Sequence, residues 1–178
     1  MLTRESRGVR GLPIGYMPLL RDLSLGAAII LVGMLLGAGV YESVVMAPNY
    51  AAAVPESLED AKQFMRVTNP GNYFRVVAPL TQIALLITLV LNWRGARERR
   101  WWLLSTFVLA VAVDVITFTY HYPRNAILFT DPMNTPPAAL AVAATEWIYG
   151  NLVRVCMLFV AMVCGVKAAM ARRAAELS

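Results

Sequence analysis

Four apolar runs of about twenty residues each, separated by charged or proline-rich segments, commit this chain to a bilayer. A helix rising 1.5 Å per residue needs about 20 residues to cross roughly 30 Å of hydrocarbon, and it satisfies its own backbone hydrogen bonds on the way. The chain has 178 residues, so four such spans with their connections nearly exhaust it. The expected fold is all-α: an up-down-up-down bundle of four transmembrane helices, with spans at about 23–45, 76–93, 101–122 and 145–166. Residues 1–22, basic and broken by proline and glycine, read as a cytoplasmic interfacial segment, and 167–178 as a cytoplasmic tail. The first run is longer than the core of a secretory signal, and the nearest small-residue site, Ala51 to Ala53, lies too far downstream for cleavage, so a retained span is expected.

The net charge of +5 invites a nucleic-acid reading, but the positions of the charges argue for a membrane surface. Arg4, Arg7, Arg10 and Arg21 precede the first run; Arg94, Arg97, Arg99 and Arg100 knot the second to the third; Lys167, Arg172 and Arg173 follow the last. Basic clusters abutting apolar runs are topogenic signals. The other two connections carry only Lys62, Arg66, Arg75 and Arg124, which places both termini in the cytoplasm by the positive-inside rule. A bacterial inner membrane suits this pattern best. Nucleic acid is not an expected partner; the bilayer is. Cys156 and Cys164 stand about 12 Å apart on one helix, too far to bridge, and read as packing residues.

In the connection 46–74, Ser57 with Asp60 resembles a capping box and predicts a short helix through Phe64 and Met65, ended by a turn at Asn69-Pro70-Gly71-Asn72. Pro123, Pro132, Pro136 and Pro137 mark the third connection as an irregular outer loop. Gly33 and Gly37 read as a close-packing pair in the first span. Gly71-Asn72-x-x-Arg75 and Gly150-Asn151-x-x-Arg154 echo one another, too briefly to establish a duplication.

Ionisable side chains at bilayer depth are costly, and each is a candidate site residue. Asp114 and Arg154 both lie about 20 Å from the inner boundary by helical rise, which predicts an ion pair between the third and fourth helices. Beyond that level a polar stripe unfolds: Asp114, Thr117, His121 and Arg124 on one face of the third helix, and Trp147, Asn151 and Arg154, flanked by Glu146, on the fourth. Arg75, Pro79 and Gln82 share a face of the second, and Tyr41 and Glu42 end the first. With the inner halves plainly aliphatic, this distribution predicts a polar cavity opening outward. Structural cohesion is the competing explanation, because polar side chains also glue membrane helices together.

A single histidine, His121, excludes bis-His haem within one chain, and no E-x-x-H pair exists for a di-iron site. No cofactor is expected, although a mononuclear metal at His121, with Glu42 or Glu146, stays open. No phosphate-binding glycine loop, catalytic serine motif or redox CxxC is present.

Several short motifs cluster at the outer ends: Pro48-Asn49-Tyr50, Val77-Ala78-Pro79, Pro123-Arg124-Asn125 and Trp147-x-x-x-Asn151-x-x-Arg154. Together, over about Leu25 to Val166, they resemble the anthrone-oxygenase-like family of small four-helix membrane proteins, most of them of unknown function. The resemblance implies oxidation of an anthrone to an anthraquinone, with Asn125, Trp147, Asn151 and Arg154 at the site. The chemistry of the residues adds His121 or Glu42 as a base, Arg154 and Asn151 as oxyanion donors, and Asp114, Tyr41, Arg75, Gln82 and Glu146 as substrate-binding groups. The expected ligand is thus a small lipophilic molecule. The alternative is a non-enzymatic subunit that binds a lipid, a partner membrane protein or a second copy of itself.

Overall fold

A computed structural model describes residues 16–177, with side chains as far as Ala171. The basic segment containing Arg4, Arg7 and Arg10, and the side chains of Arg172 and Arg173, lie outside the described residues.

Four helices are long and apolar enough to cross a membrane: Met17–Ala51, Pro70–Asn92, Arg97–Phe129 and Pro137–Ala171. The protein is a multi-pass integral membrane protein, all-α, with no strand among the described residues. The first rod comprises α1 (Met17–Tyr41), a π-helical turn (Glu42–Met46) and α2 (Ala47–Ala51). A short α3 (Glu56–Phe64) leads to α4 (Pro70–Asn92). The next rod is α5 (Arg97–Ile116), a second π-helical turn (Thr117–His121) and α6 (Tyr122–Phe129); α7 spans Pro137–Leu177. α1 packs on α4 and α7, and α5 on the same two, so the spans form a four-cornered bundle. Arg21 Nε donates to the Leu91 carbonyl at 2.8 Å and the Tyr73 hydroxyl to the Met34 carbonyl at 3.2 Å, tying α1 to α4 near both ends.

The spans are longer than the apolar runs indicate. Asn69-Pro70-Gly71-Asn72 opens α4 rather than closing a loop: Asn69 is the N-cap, its side chain accepting from the Asn72 amide, and Pro70 takes the first turn, where a missing N–H costs nothing. The C-terminal segment from Lys167 continues α7 as helix to Leu177, and helix already begins at Met17 in the expected interfacial segment. The stretch after Pro123 continues as helix to Phe129 before the chain breaks at 130–136. Pro48 and Pro123 each sit in the first turn that follows a π-helical turn, in which the Ala47 amide reaches back to the Glu42 carbonyl and the Tyr122 amide to the Thr117 carbonyl. The residue after each proline then sends its side chain back four positions: Asn49 Nδ2 to the Val45 carbonyl at 2.6 Å, and Arg124 to the Tyr120 carbonyl at 2.9 Å. The wider turn plus this side-chain bond lets both rods pass a residue that ordinarily breaks a helix.

Three of the rods are therefore about 50 Å long, against about 30 Å of hydrocarbon. α4 is shorter, and α3 fills its place above. There Tyr50, Leu58, Leu128, Leu140, Ala143 and Trp147 form a buried apolar cap over the loop end of the bundle. Its ties include Lys62 Nζ to the Thr130 carbonyl and Ser57 Oγ to the Tyr50 carbonyl. Ser57 is thus spent on α2, and the expected capping box does not form.

The close approaches of helices occur at glycines other than Gly33 and Gly37. A Cβ on Gly37 would meet nothing within 4 Å and one on Gly33 only Met162 at 3.7 Å, whereas one on Gly39 would come within 3.2 Å of Val155 and one on Gly150 within 2.5 Å of the Tyr120 ring.

Candidate functional site

Each π-helical turn presents one ionisable side chain inward at the level where the apolar cap begins. Glu42 opens the first turn and is 7% exposed; His121 closes the second and is 1% exposed. α7 supplies Asn151, fully buried, and Arg154, 7% exposed. Asn151 Nδ2 reaches α1, donating to the Gly39 carbonyl at 3.2 Å and to Ser43 Oγ at 2.8 Å. The glycines at 39 and 150 permit this: the first brings α7 against α1, and the second leaves room for the Tyr120 and His121 rings beside α7.

His121 is framed by aromatic rings. Its imidazole stands edge-on to Trp147, with centroids 5.4 Å apart, and to Tyr120 at 5.6 Å. Trp147 is fixed in turn by Asn125, whose Oδ1 accepts from the indole N–H at 2.7 Å. Arg124 lies over the Tyr120 ring at 3.4 Å and pairs with Glu146 at 2.8 Å, and the Tyr120 hydroxyl donates to the Glu146 carbonyl. This frame ties α5 and α6 to α7 around the imidazole.

The expected Asp114–Arg154 ion pair does not form. The two residues are level, as helical rise requires, but their side chains point to different neighbours. Asp114 faces α4 and accepts from Gln82 Nε2 at 2.7 Å. Arg154 turns toward the start of α4, with its guanidinium 5.5 Å from the centre of the Phe74 ring. Glu42 is buried and Asp114 half-buried on the neighbouring rods. No ion pair within 4 Å joins Arg154 to either carboxylate among the described residues.

Among the described residues, several buried polar atoms in the loop-side half of the bundle have no hydrogen-bond partner: Glu42 Oε2, both ring nitrogens of His121, Asn151 Oδ1, Arg154 Nε, Arg124 Nε and Gln82 Oε1. Buried polar groups are ordinarily paired, because leaving one unpaired costs about 1–3 kcal/mol.

Two expectations are corrected here. The polar residues do not line a cavity open at the loop end; the apolar cap of α2, α3, α6 and the start of α7 lies over them. Nor do all the candidates converge. Arg75 is exposed and Tyr41 is 56% exposed, both on the outside of the bundle. The echo of Gly150-Asn151-x-x-Arg154 at Gly71 is correspondingly hollow, since Asn72 and Arg75 are exposed where Asn151 and Arg154 are buried. Tyr41 instead borders a groove of about 540 Å³ between the end of α1 and the start of α4, lined also by Met46, Phe64, Met65, Thr68, Asn69, Pro70, Asn72 and Tyr73. Among the described residues no group of three or more His, Cys, Asp or Glu side chains gathers in metal-binding fashion.

Sequence reasoning passed over Ser43, Gly39 and Phe74, and met Gly150 only as part of the short echo. Ser43 looked like an ordinary small residue, and its only signal is its place beside Glu42. No protein-family model, curated protein or solved structure matches this chain.

Proposed function

We propose that this protein is a membrane-embedded oxidoreductase acting on a small lipophilic aromatic ketone of the anthrone type, as its resemblance to the anthrone-oxygenase-like family implies. The observation that carries the reading is the pair of π-helical turns, which bring Glu42 and His121 into one buried layer with Arg154 and leave their reactive atoms unpartnered. Such turns occur disproportionately at functional sites.

In this reading a flat ring system enters from the bilayer with its carbonyl toward Arg154. Glu42 or His121 takes a proton from the acidic methylene, and negative charge collects on the carbonyl oxygen, where the guanidinium stabilises it. The electron-rich carbon is then oxidised by O₂; anthrone plus O₂ gives anthraquinone plus water. Asn151 has a different task from the one its sequence position implies. Both of its N–H groups are committed to α1, so it positions that helix and offers only an acceptor, Oδ1. The oxyanion role falls to Arg154 alone. With both termini cytoplasmic, the layer lies in the outer part of the bilayer.

The test is turnover of an anthrone to the quinone by purified protein under O₂. Wild-type protein should show it, and Arg154→Leu should lower it at least about a hundredfold, the scale of losing an oxyanion partner, while the protein stays folded. Undiminished activity in that variant removes the oxyanion role; no activity in wild-type protein removes the reading.

The alternative, a non-enzymatic subunit, draws on a different feature: Phe64 and Val67 are 85% and 87% exposed at the turn between α3 and α4. Stoichiometric co-purification of another membrane protein, abolished by substitutions within 46–74, would favour it.

A further inference from the structure

The groove beside Tyr41 lies at a depth that identifies its surroundings. The Arg21–Leu91 bond marks the terminal end of α1 and α4. Tyr41 on α1 and Asn72 on α4 both stand about 30 Å above that rung by helical rise, the thickness of the hydrocarbon layer. The groove therefore opens at the headgroup boundary of the leaflet on the loop side. Its walls are apolar toward the bilayer, formed by Tyr41, Met46, Phe64, Met65 and Tyr73, and its upper rim is polar, with Thr68, Asn69 and Asn72. Phe64 is held almost clear of the protein, as is Val67 just past the rim. In water such a cluster of bare apolar side chains is a liability; at the acyl boundary it is a contact surface.

Charge completes the pattern. Arg66 follows Met65 directly, and Arg75 lies one turn along α4 from Asn72, on the same side of the helix. Both are exposed, and neither side chain has a hydrogen-bond or ion-pair partner among the described residues. Lys62, by contrast, is engaged with Glu59 and the Thr130 carbonyl. The acids of α3 gather in its first half at Glu56, Glu59 and Asp60, away from the end that forms the groove.

We propose that this groove is a binding site for an anionic glycerophospholipid of the loop-side leaflet, with an acyl chain between Tyr41 and Tyr73 and the phosphate held at the rim by Arg66, Arg75 and Asn72. It is separate from the buried layer: neither Glu42, His121, Asn151 nor Arg154 is among the residues that line the groove. The lipid then props α3 against the start of α4, where the chain turns between the cap and the span.

The experiment uses the full chain in nanodiscs containing a trace of phosphatidylglycerol with a diazirine on its acyl chain, photolysed and mapped by peptide mass spectrometry. Label should concentrate on 41–46 and 64–73. The double variant Arg66→Gln/Arg75→Gln should lower that label roughly 25-fold, since each basic residue near a membrane surface adds about a fivefold preference for anionic lipid, while label on the faces of α5 and α7 stays unchanged and reports intact insertion. Label spread along all lipid-facing surfaces, or groove label indifferent to the double variant, overturns the proposal. So does equal groove labelling by an uncharged diazirine diacylglycerol, because the phosphate would then play no part.

Discussion

In the half of the bundle nearest the termini, the buried threonines and Asn92 bond within their own turn of helix, and the buried Arg99 pairs with Asp22. Thr81 donates to the Val77 carbonyl, Thr88 to Ala84, Asn92 to Thr88 and Thr106 to Trp102 with a second contact to Ala161 on α7. Around them Leu25, Leu89 and Leu103 pack with small residues such as Ala28, Ala110, Ala161 and Ala168. In the half toward the loops, Glu42, His121, Asn151 and Arg154 are equally buried, yet each leaves at least one polar atom unpaired. The same four helices thus hold one region whose polar bonds are mostly internal to a helix and another whose buried polar groups leave atoms unpaired among the described residues. Glu42 and His121 sit where two rods leave α-helical geometry, and all four side chains lie beneath an apolar cap that excludes water, the surroundings in which an unpaired charge acts most strongly on anything bound beside it.

Three comparisons of variants sharpen or break this contrast, apart from the loss of activity in Arg154→Leu. The largest stability effect belongs to the cap, which lies beyond the hydrocarbon. Leu58→Ala should cost about 3 kcal/mol, with both transfer and cavity terms counting, whereas Leu158→Ala, deep in the span, should cost about half as much because lipid is as apolar as the core; reversible unfolding in mixed micelles measures both. Equal losses would mean that the cap is not in water. Next comes the close approach at Gly150. A methyl there would press on Tyr120 at 2.5 Å and on His121 Nε2 at 3.1 Å, so Gly150→Ala should cost about 1–3 kcal/mol, while Gly37→Ala, with nothing within 4 Å, should be neutral or stabilising. The smallest effect separates the two kinds of polar bond. Asn151→Leu breaks two bonds to α1 and should cost about 1 kcal/mol, and Thr88→Val, which loses a bond internal to its helix, should stay within about 0.5 kcal/mol. A larger loss at Thr88 would undo the distinction between the halves.

The fold was legible in the sequence because bilayer thickness ties helix length to run length, and charge placement separates the runs. What escaped was the continuation of the helices past the hydrocarbon. Pro48 and Pro123 look like stops, and nothing local to them announces that a widened turn and the side chain of the next residue will repair the backbone. The site was half legible. Ionisable residues inside apolar runs pointed to Glu42, Asp114, His121 and Arg154, and helical rise set Asp114 level with Arg154. Rise does not fix the direction in which a side chain leaves its helix, and Asp114 turned to Gln82. Arg75 and Tyr41 were misplaced for the same reason, since a residue near a helix end can face lipid as readily as the interior.

The central claim is that the buried layer serves a bound molecule rather than the cohesion of the bundle. Replacing its opposite charges together, Glu42→Gln with Arg154→Leu, avoids stranding either one, and the thermal midpoint of the purified protein in detergent measures the result. A layer kept for function predicts an unchanged or higher midpoint accompanied by loss of turnover. A fall of about ten degrees, the shift expected if two or more cohesive interactions were lost, would show instead that these charges hold the helices together.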